Sequence, residues 1–145
     1  MNELVYRNLS EDAKRQICAW KYGGEYDLYN LPSYEEMQVR QIGFMNPQRE
    51  KNYYGFWDES ILVGFVNILE EKEEVFIGIG VNPDLCNKHY GQRMLLITYE
   101  ISKKLYPDKP LYLEVRTWNI RAVKCYQKAG FRIDGQAYEL TTGIG

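Results

Sequence analysis

Residues 52–81 constrain the fold most, because their apolar positions recur with the two-residue period of β-strands. Two short charged segments interrupt the pattern, Asp58-Glu59-Ser60 and Glu71-Lys72-Glu73. Segments of this kind are typical of tight turns between strands that pair with each other. The stretch therefore predicts three consecutive strands that form an antiparallel meander.

The segments on either side of the meander favour helices and single strands. The predicted elements are a strand over 3–9, a helix from Ser10, a helix opened by a capping box of Ser33 and Glu36, a helix over 92–105, a strand from Leu111, a helix after Asn119 and a last strand over 131–142. This order predicts one α+β domain over residues 1–145, with about four helices around a mixed, mostly antiparallel sheet. The helix over 92–105 should join two parallel neighbours, the strands that end near Val81 and start at Leu111.

Composition argues against several classes of function. The formal net charge of −2 argues against a broad nucleic-acid-binding face. The three cysteines are odd in number and widely spaced, and His89 is the lone histidine, so neither a metal site nor a disulfide framework is expected. No run is apolar enough for a signal peptide or a membrane span. We therefore expect a cytoplasmic protein without a membrane partner.

The stretch 111–131 combines a strand and a helix that carry chemically useful side chains. Glu114 lies on the predicted strand, and Asn119 stands where a helix N-cap would accept a backbone N–H. Ala122 and Tyr126 follow at helical spacing, and Gly130 suits the left-handed position after a helix. This stretch therefore presents a carboxylate and a phenol from two neighbouring elements.

The segment 81–94 leaves a strand and enters a helix, and a helix N-terminus presents free backbone N–H groups to anions. Lys88 adds a cation beside it. The sequence has no G-x-x-x-x-G-K-[ST], and Gly78 and Gly80 lie inside a strand pattern, so neither a P-loop nor a dinucleotide fingerprint is present. The segment is a candidate phosphate-binding loop.

Both stretches resemble GNAT-type N-acetyltransferases. The usual loop of that family reads V-x-P-x-x-Q/R-x-x-G-x-G/A, and Val81, Pro83 and Gly91 match it, whereas Cys86 and His89 depart from it. The spacing E-V-R-x-x-N-x-x-A-x-x-x-Y-x-x-x-G-F in 114–131 resembles ribosomal-protein N-terminal acetyltransferases within the family. The resemblance implies a GNAT-like sheet and acetyl-coenzyme A as co-substrate.

The resemblance also implies roles for individual residues. Glu114 would act as general base, Tyr126 as general acid, and Asn119 would contact the pantetheine arm. The backbone of Ile79 to Val81 would pair with pantetheine. The pyrophosphate loop would comprise Cys86, Asn87, Lys88, His89, Tyr90, Gly91 and Gln92.

Several alternatives remain open from the residues alone. Glu114 also fits a solvent-facing strand position, with Glu70 or Glu71 as bases acting through water, and Tyr126 also fits a core position. Phe76 occupies a position where many relatives carry a glutamate. The acceptor is either a peptide or protein N-terminus or a small amine, and the other function class is a non-catalytic coenzyme A-binding or interaction module.

Two further segments carry open expectations. The segment 20–30 places Glu25 and Asp27 among three tyrosines, which suits either a cationic ligand or a solvated loop. Family members normally have one more strand after a segment such as 131–142. Either the sequence stops before that strand or a partner chain, as in a homodimer, completes the sheet.

Overall fold

The computed structural model describes residues 3–86, 88–115, 118–133 and 139–142. Within these residues it contains one seven-stranded sheet, in the order β1-β2-β3-β4-β5-β7-β6, and four α-helices. The strands are β1 (Val5–Asn8), β2 (Tyr53–Asp58), β3 (Ile61–Glu70), β4 (Val75–Val81), β5 (Leu111–Glu114), β6 (Phe131–Ile133) and β7 (Glu139–Thr142). The helices are α1 (Glu11–Ala19), α2 (Tyr34–Arg40), α3 (Tyr90–Leu105) and α4 (Ile120–Lys128).

The predicted fold class is confirmed. Strands β2, β3 and β4 form the antiparallel meander, and β4 and β5 form the parallel pair that α3 connects. The remaining strand pairs in the described sheet are antiparallel. The meander is recognisable from sequence because its turns are short and its strands alternate regularly.

Side-chain caps begin three of the helices at the predicted residues. Ser10 accepts the Ala13 N–H at the start of α1, and Ser33 accepts the Glu36 N–H at the start of α2. Asn119 caps α4 in the same way. These caps satisfy backbone donors that no intrahelical carbonyl can reach, and they set where each helix begins.

The helices cover both faces of the sheet and create two separate cores. On one face, α3 packs Met94, Leu95 and Ile101 into the core that contains Val66 and Ile77. On the opposite face, the residues that share a core are Leu9, Ala13, Ile17, Cys18, Met37, Phe44, Trp57 and Leu62. The candidate site lies at the edge of the sheet, where the two cores meet the end of β4.

The C-terminal region corrects one prediction. The segment 131–142 was expected to be a single strand, but it contains β6 and β7, which pair antiparallel with each other. Strand β7 lies between β5 and β6, and Glu139 pairs with Glu114 at the end of β5. The described residues therefore contain seven strands, where the sequence predicted six. The single-strand prediction is wrong because it gave no weight to Asp134-Gly135, a dipeptide that is typical of hairpin turns.

Candidate active site

The main cleft of the described structure lies where β4 and β5 separate. The two parallel strands pair only at Val75 with Leu111 and at Phe76 with Tyr112, although β4 continues to Val81. Beyond that point the strands leave a cleft with a volume of about 1170 Å³. It is lined by β4, β5, the start of α3, α4 and the segment 20–30. A cleft of this size accepts an extended organic ligand.

The backbone of β4 forms one wall of the cleft. The Val75 N–H donates to the Pro110 carbonyl, on the side of β5. Backbone groups alternate sides along a strand, so the N–H and carbonyl groups of Ile79 and Val81 point to the same side as those of Val75. At Ile79 and Val81 that side has no partner strand, because β5 no longer pairs with β4 there. The Val81 carbonyl accepts a hydrogen bond from the Tyr22 hydroxyl at 2.6 Å. The edge at Ile79 and Val81 can thus hydrogen-bond an extended ligand, as the sequence analysis expected.

The start of α3 closes one end of the cleft. His89 stands at the N-cap with φ 67° and ψ 10°, a left-handed conformation, and gives no side-chain cap. The first intrahelical bond shown runs from the Arg93 N–H to the His89 carbonyl. The N–H groups of Tyr90, Gly91 and Gln92 therefore have no carbonyl partner within the helix. This end combines free donors with the positive end of the helix dipole, an arrangement that favours phosphate.

The departures from the family pattern have different structural consequences. His89 adopts the left-handed backbone that a glycine would adopt, a conformation in which histidine is found more often than most residues. Cys86 lines the cleft, and its thiol pKa is raised, first by burial. Lys88 is exposed beside the loop, and Asn87 lies outside the described residues.

Gly91 lies where α3 and α4 approach each other closely. A Cβ atom built on Gly91 would lie 3.0 Å from Cys125 Sγ, tighter than ordinary contact. The missing side chain therefore lets the two helices meet behind the cleft.

Asn119 joins the start of α4 to the opposite side of the cleft. Its Oδ1 accepts the Ala122 N–H at 3.2 Å, and its Nδ2 donates to the Tyr29 hydroxyl at 3.1 Å. The residue is only 7% exposed, so both ends of the amide are oriented by the protein. The predicted N-cap is confirmed, whereas the contact with Tyr29 was not expected from the sequence.

Tyr126 lies on α4, half-buried, and faces the cleft. Burial raises the pKa of its phenol, and the neighbouring thiol of Cys125 and phenols of Tyr29 and Tyr22 raise it further. The phenol is therefore protonated at neutral pH and can serve as a proton donor.

Among the described residues that line the cleft, Glu114 is the only acidic one. It is exposed at the end of β5. The alternative carboxylates have other partners, because Glu70 binds Lys109 at 2.7 Å and Glu71 accepts the Tyr112 hydroxyl at 2.8 Å. Its position in the cleft favours Glu114 over both of them as the base.

The segment 20–30 forms a part of the cleft wall that was not predicted from the sequence. Residues Gly24–Tyr29 form a 3₁₀ helix. The side chains of Tyr22, Tyr26 and Tyr29 line the cleft, whereas Glu25 and Asp27 are exposed. The exposure of Glu25 and Asp27 agrees with the solvated loop, although the tyrosines form part of the cleft wall. The cationic ligand stays a prediction. Tyr22, Tyr26 and Tyr29 recur at spacings of four and three residues, which indicates one shared face. No local pattern showed which surface that face would cover.

Cationic side chains line the cleft on α4. Arg121, Lys124 and Lys128 follow at spacings of three and four, which places them on one side of the helix. The Arg121 guanidinium lies 4.2 Å from the centre of the Tyr26 ring. This side of the cleft is positively charged although the whole chain is acidic.

Two further findings concern membrane-spanning helices and metal-binding clusters. No helix in the described part of the chain is long and apolar enough to cross a membrane. The same residues contain no group of three histidine, cysteine or acidic side chains that could hold a metal ion.

The cleft thus combines a helix end with free N–H donors, an open strand edge, a carboxylate and a protonated phenol, an arrangement that suits group transfer from a phosphate-bearing donor. The model of the acetyltransferase (GNAT) family matches residues 9–131, most of the chain. The chain belongs to the GNAT family of acetyltransferases.

Individual relatives agree with this assignment. A probable spermine N(1)-acetyltransferase from Bacillus subtilis subsp. natto (strain BEST195) is 30% identical over 100 residues. That match covers 61% of this chain and 66% of the relative, slightly less than two thirds of the relative's length.

Solved structures share the fold over nearly the whole chain. A chimera of the spermidine N-acetyltransferase SpeG from Vibrio cholerae and hSSAT superposes with a TM-score of 0.74 at 19% identity, covering 97% of this chain and 93% of that one. AAC(6')-Ib in complex with ribostamycin and coenzyme A also gives a TM-score of 0.74, at 15% identity, covering 97% and 91%. A GNAT-family acetyltransferase from Bacillus anthracis gives 0.73 at 18% identity, covering 97% and 93%. At these identities the similarity establishes the fold. The resemblance to ribosomal-protein N-terminal acetyltransferases stays a prediction.

Proposed function

We propose that this protein transfers the acetyl group of acetyl-coenzyme A to a primary amine by direct attack of the amine on the thioester. The observation that carries the proposal is the meeting of Glu114, Tyr126 and the uncapped start of α3 in one cleft. Membership of the acetyltransferase family supports the same reaction.

The residues present fit acetyl-coenzyme A, whose thioester supplies the acetyl group. Free N–H groups at the start of α3, with Lys88 nearby, suit the pyrophosphate. The open edge at Ile79 and Val81 suits the amides of an extended pantetheine arm. Asn119 would contact that arm through the amide hydrogen that Tyr29 does not use.

Two side chains perform the proton transfers. Glu114 removes a proton from the acceptor ammonium, directly or through a water, because an alkylammonium titrates near ~10.4 and is mostly protonated at neutral pH. The amine nitrogen then forms a bond to the carbonyl carbon as the carbon–sulfur bond breaks. Tyr126 donates its proton to the departing sulfur and regains one from the attacking nitrogen, directly or through a water, so that a neutral amide and a protonated phenol remain. N–H groups of β4 stabilise the negative charge on the carbonyl oxygen while the new bond forms.

The thiols of the cleft favour direct attack over an acetyl-cysteine intermediate. Burial raises the pKa of both Cys86 and Cys125. A thiol that stays protonated is a poor nucleophile, since the thiolate is the reactive form. Neither cysteine is therefore assigned a covalent role.

A small polycationic amine is the acceptor class that we favour. The spermine acetyltransferase relative supports this class. The carboxylate of Glu114 in the cleft suits a cationic acceptor. A peptide or protein N-terminus, which the spacing from Glu114 to Tyr126 favours, is the second acceptor class.

An acceptor screen tests the proposal. Purified protein is incubated with acetyl-coenzyme A and with spermine, spermidine, an aminoglycoside or peptides with free N-termini, and products are measured by mass spectrometry. We expect acetylated polyamine from the wild type and very little from Tyr126→Phe. Coenzyme A binding without turnover on any acceptor would instead support the non-catalytic module, to which the departures at Cys86 and His89 point.

The expectations of a cytoplasmic location and a homodimer belong to the same proposal. All three cysteines are free thiols, which suits a reducing compartment. Size-exclusion chromatography with light scattering measures the oligomeric state directly.

A further inference from the structure

The segment 20–30, here called the tyrosine strap, crosses the cleft from β4 to α4. At one end the Tyr22 hydroxyl donates to the Val81 carbonyl at 2.6 Å, and the Tyr22 N–H donates to Asn30 Oδ1 at 2.6 Å. At the other end Tyr29 accepts the hydrogen bond from Asn119. The rings of Tyr22 and Tyr29 meet edge to face, with centroids 6.5 Å apart. The strap therefore links two walls that belong to distant parts of the chain.

The contact between Tyr29 and Asn119 stabilises one orientation of a side-chain amide. An asparagine cap can present either its oxygen or its nitrogen to a neighbour, and only the oxygen can accept a helix N–H. Tyr29 receives a hydrogen from Nδ2, while Oδ1 receives the Ala122 N–H. The Ala122 N–H can only donate, so it requires the oxygen, and the Tyr29 hydroxyl then accepts from Nδ2 and holds the amide in that orientation.

Ring contacts hold the same end of the strap. Tyr26 and Tyr29 pack against Trp118 with centroid distances of 5.5 and 6.3 Å. Arg121 stacks over Tyr26. The strap consequently touches the residues on both sides of Asn119, and it covers the start of the helix that carries Tyr126.

We infer that Tyr29 is a positioning residue that acts through Asn119: its hydroxyl fixes the amide that starts α4 and faces the donor arm. Tyr22 anchors the strap to β4 so that Tyr29 stays in place. The expected effect on coenzyme A rests on the proposed function, whereas the effect on the helix start does not.

Two conservative substitutions separate this role from simple packing. Tyr29→Phe removes a hydroxyl that accepts a hydrogen bond, and Tyr26→Phe removes a hydroxyl for which the described residues show no partner. Both keep the ring that packs on Trp118. We expect Tyr29→Phe to weaken coenzyme A binding by about three- to tenfold in calorimetry, the usual range for one net hydrogen bond, and to exceed the effect of Tyr26→Phe.

A double-mutant cycle tests whether Tyr29 acts through Asn119. Asn119→Ser keeps a side-chain cap but has no amide to donate. On that background we expect Tyr29→Phe to cause almost no further loss of coenzyme A affinity. If the losses in the double variant multiply, or if the two tyrosine variants have equal affinities, the inference is overturned.

Hydrogen exchange of the free protein provides a readout that does not depend on the reaction. We expect Tyr29→Phe, but not Tyr26→Phe, to accelerate exchange in the first turn of α4, since Ala122 N–H is bonded to the amide that Tyr29 orients. Unchanged exchange in this turn overturns the inference even when the wild type is active. An inactive wild type with accelerated exchange in Tyr29→Phe would overturn the proposed function alone.

Discussion

The loop 81–91 and the unit 111–131 form two halves of the proposed coenzyme A and catalytic site. They differ in how closely their sequences follow the family pattern. In the loop, Cys86 and His89 depart from the family pattern, yet the chain still reaches α3 with an uncapped N-terminus. In the unit, the pattern of Glu114, Asn119 and Tyr126 is intact, and these side chains line the same cleft.

The difference follows from the groups that each half uses. The loop offers backbone N–H groups, which every residue except proline has, so its sequence can change while the donors remain. Only position 89 restricts the residue type, because a φ of 67° is unfavourable for most side chains. The unit offers a particular carboxylate, amide and phenol, which no other residue types replace. Substitutions should therefore have large effects in the unit and smaller ones in the loop.

The largest effect is expected at Tyr126. Tyr126→Phe removes the proton donor but keeps the ring, so kcat should fall by about 10²- to 10⁴-fold with a similar coenzyme A affinity. Steady-state kinetics and calorimetry measure the two quantities. A kcat within a few-fold of the wild type would show that another group protonates the sulfur, and the side chain would then belong to the packing of α4.

The pH profile of the wild type sharpens this prediction. The phenol must be protonated to act as an acid, so activity is lost as the pH rises through its pKa. Burial raises that pKa above the ordinary value for tyrosine. We therefore expect no loss of activity from this group up to about pH 10, the usual tyrosine value. A falling limb near neutral pH that disappears in Tyr126→Phe would contradict this assignment.

The next largest effect is expected at Glu114. Glu114→Gln removes the base, and kcat at neutral pH should fall by about 10²-fold and recover partly at higher pH, where more amine is already deprotonated. Glu73→Gln, in an exposed turn, is the matched control. An equal loss in Glu71→Gln would instead favour a water relay from the carboxylate that accepts the Tyr112 hydroxyl.

These two halves also show which features a sequence reveals. The meander, the caps at Ser10, Ser33 and Asn119 and the parallel pair were predictable because each depends on residues close in sequence or on a simple connection rule. The hairpin of β6 and β7 was missed although Asp134-Gly135, between the two strands, is typical of a hairpin turn. The strap was missed because its contacts join Tyr29 to Asn119, ninety residues later, and no local pattern encodes such a pair.

A moderate effect on stability and on coenzyme A affinity is expected at His89, whose backbone conformation restricts the residue type. A β-branched side chain is strained at positive φ, whereas glycine is not. His89→Val should therefore be less stable than His89→Gly by about 1 kcal/mol or more, measured by denaturant unfolding. Coenzyme A affinity should follow the same order. Equal stabilities would show that the loop adopts another backbone conformation, and the proposed anion site would lose its geometric basis.

The smallest effect is expected from the cations that line the cleft on α4. Lys124 and Lys128 are exposed, so water and salt screen their interaction with a phosphate-bearing donor. The double variant Lys124→Gln/Lys128→Gln should bind coenzyme A only about two- to fourfold more weakly at physiological salt. Its affinity should also depend less on salt than that of the wild type. Lys72→Gln/Lys104→Gln, at two exposed lysines that do not line the cleft, is the charge-matched control. If the double variant keeps the salt dependence of the wild type, these two lysines do not face the donor phosphates, and the loop half of the cleft binds the phosphates through its backbone N–H groups and Lys88.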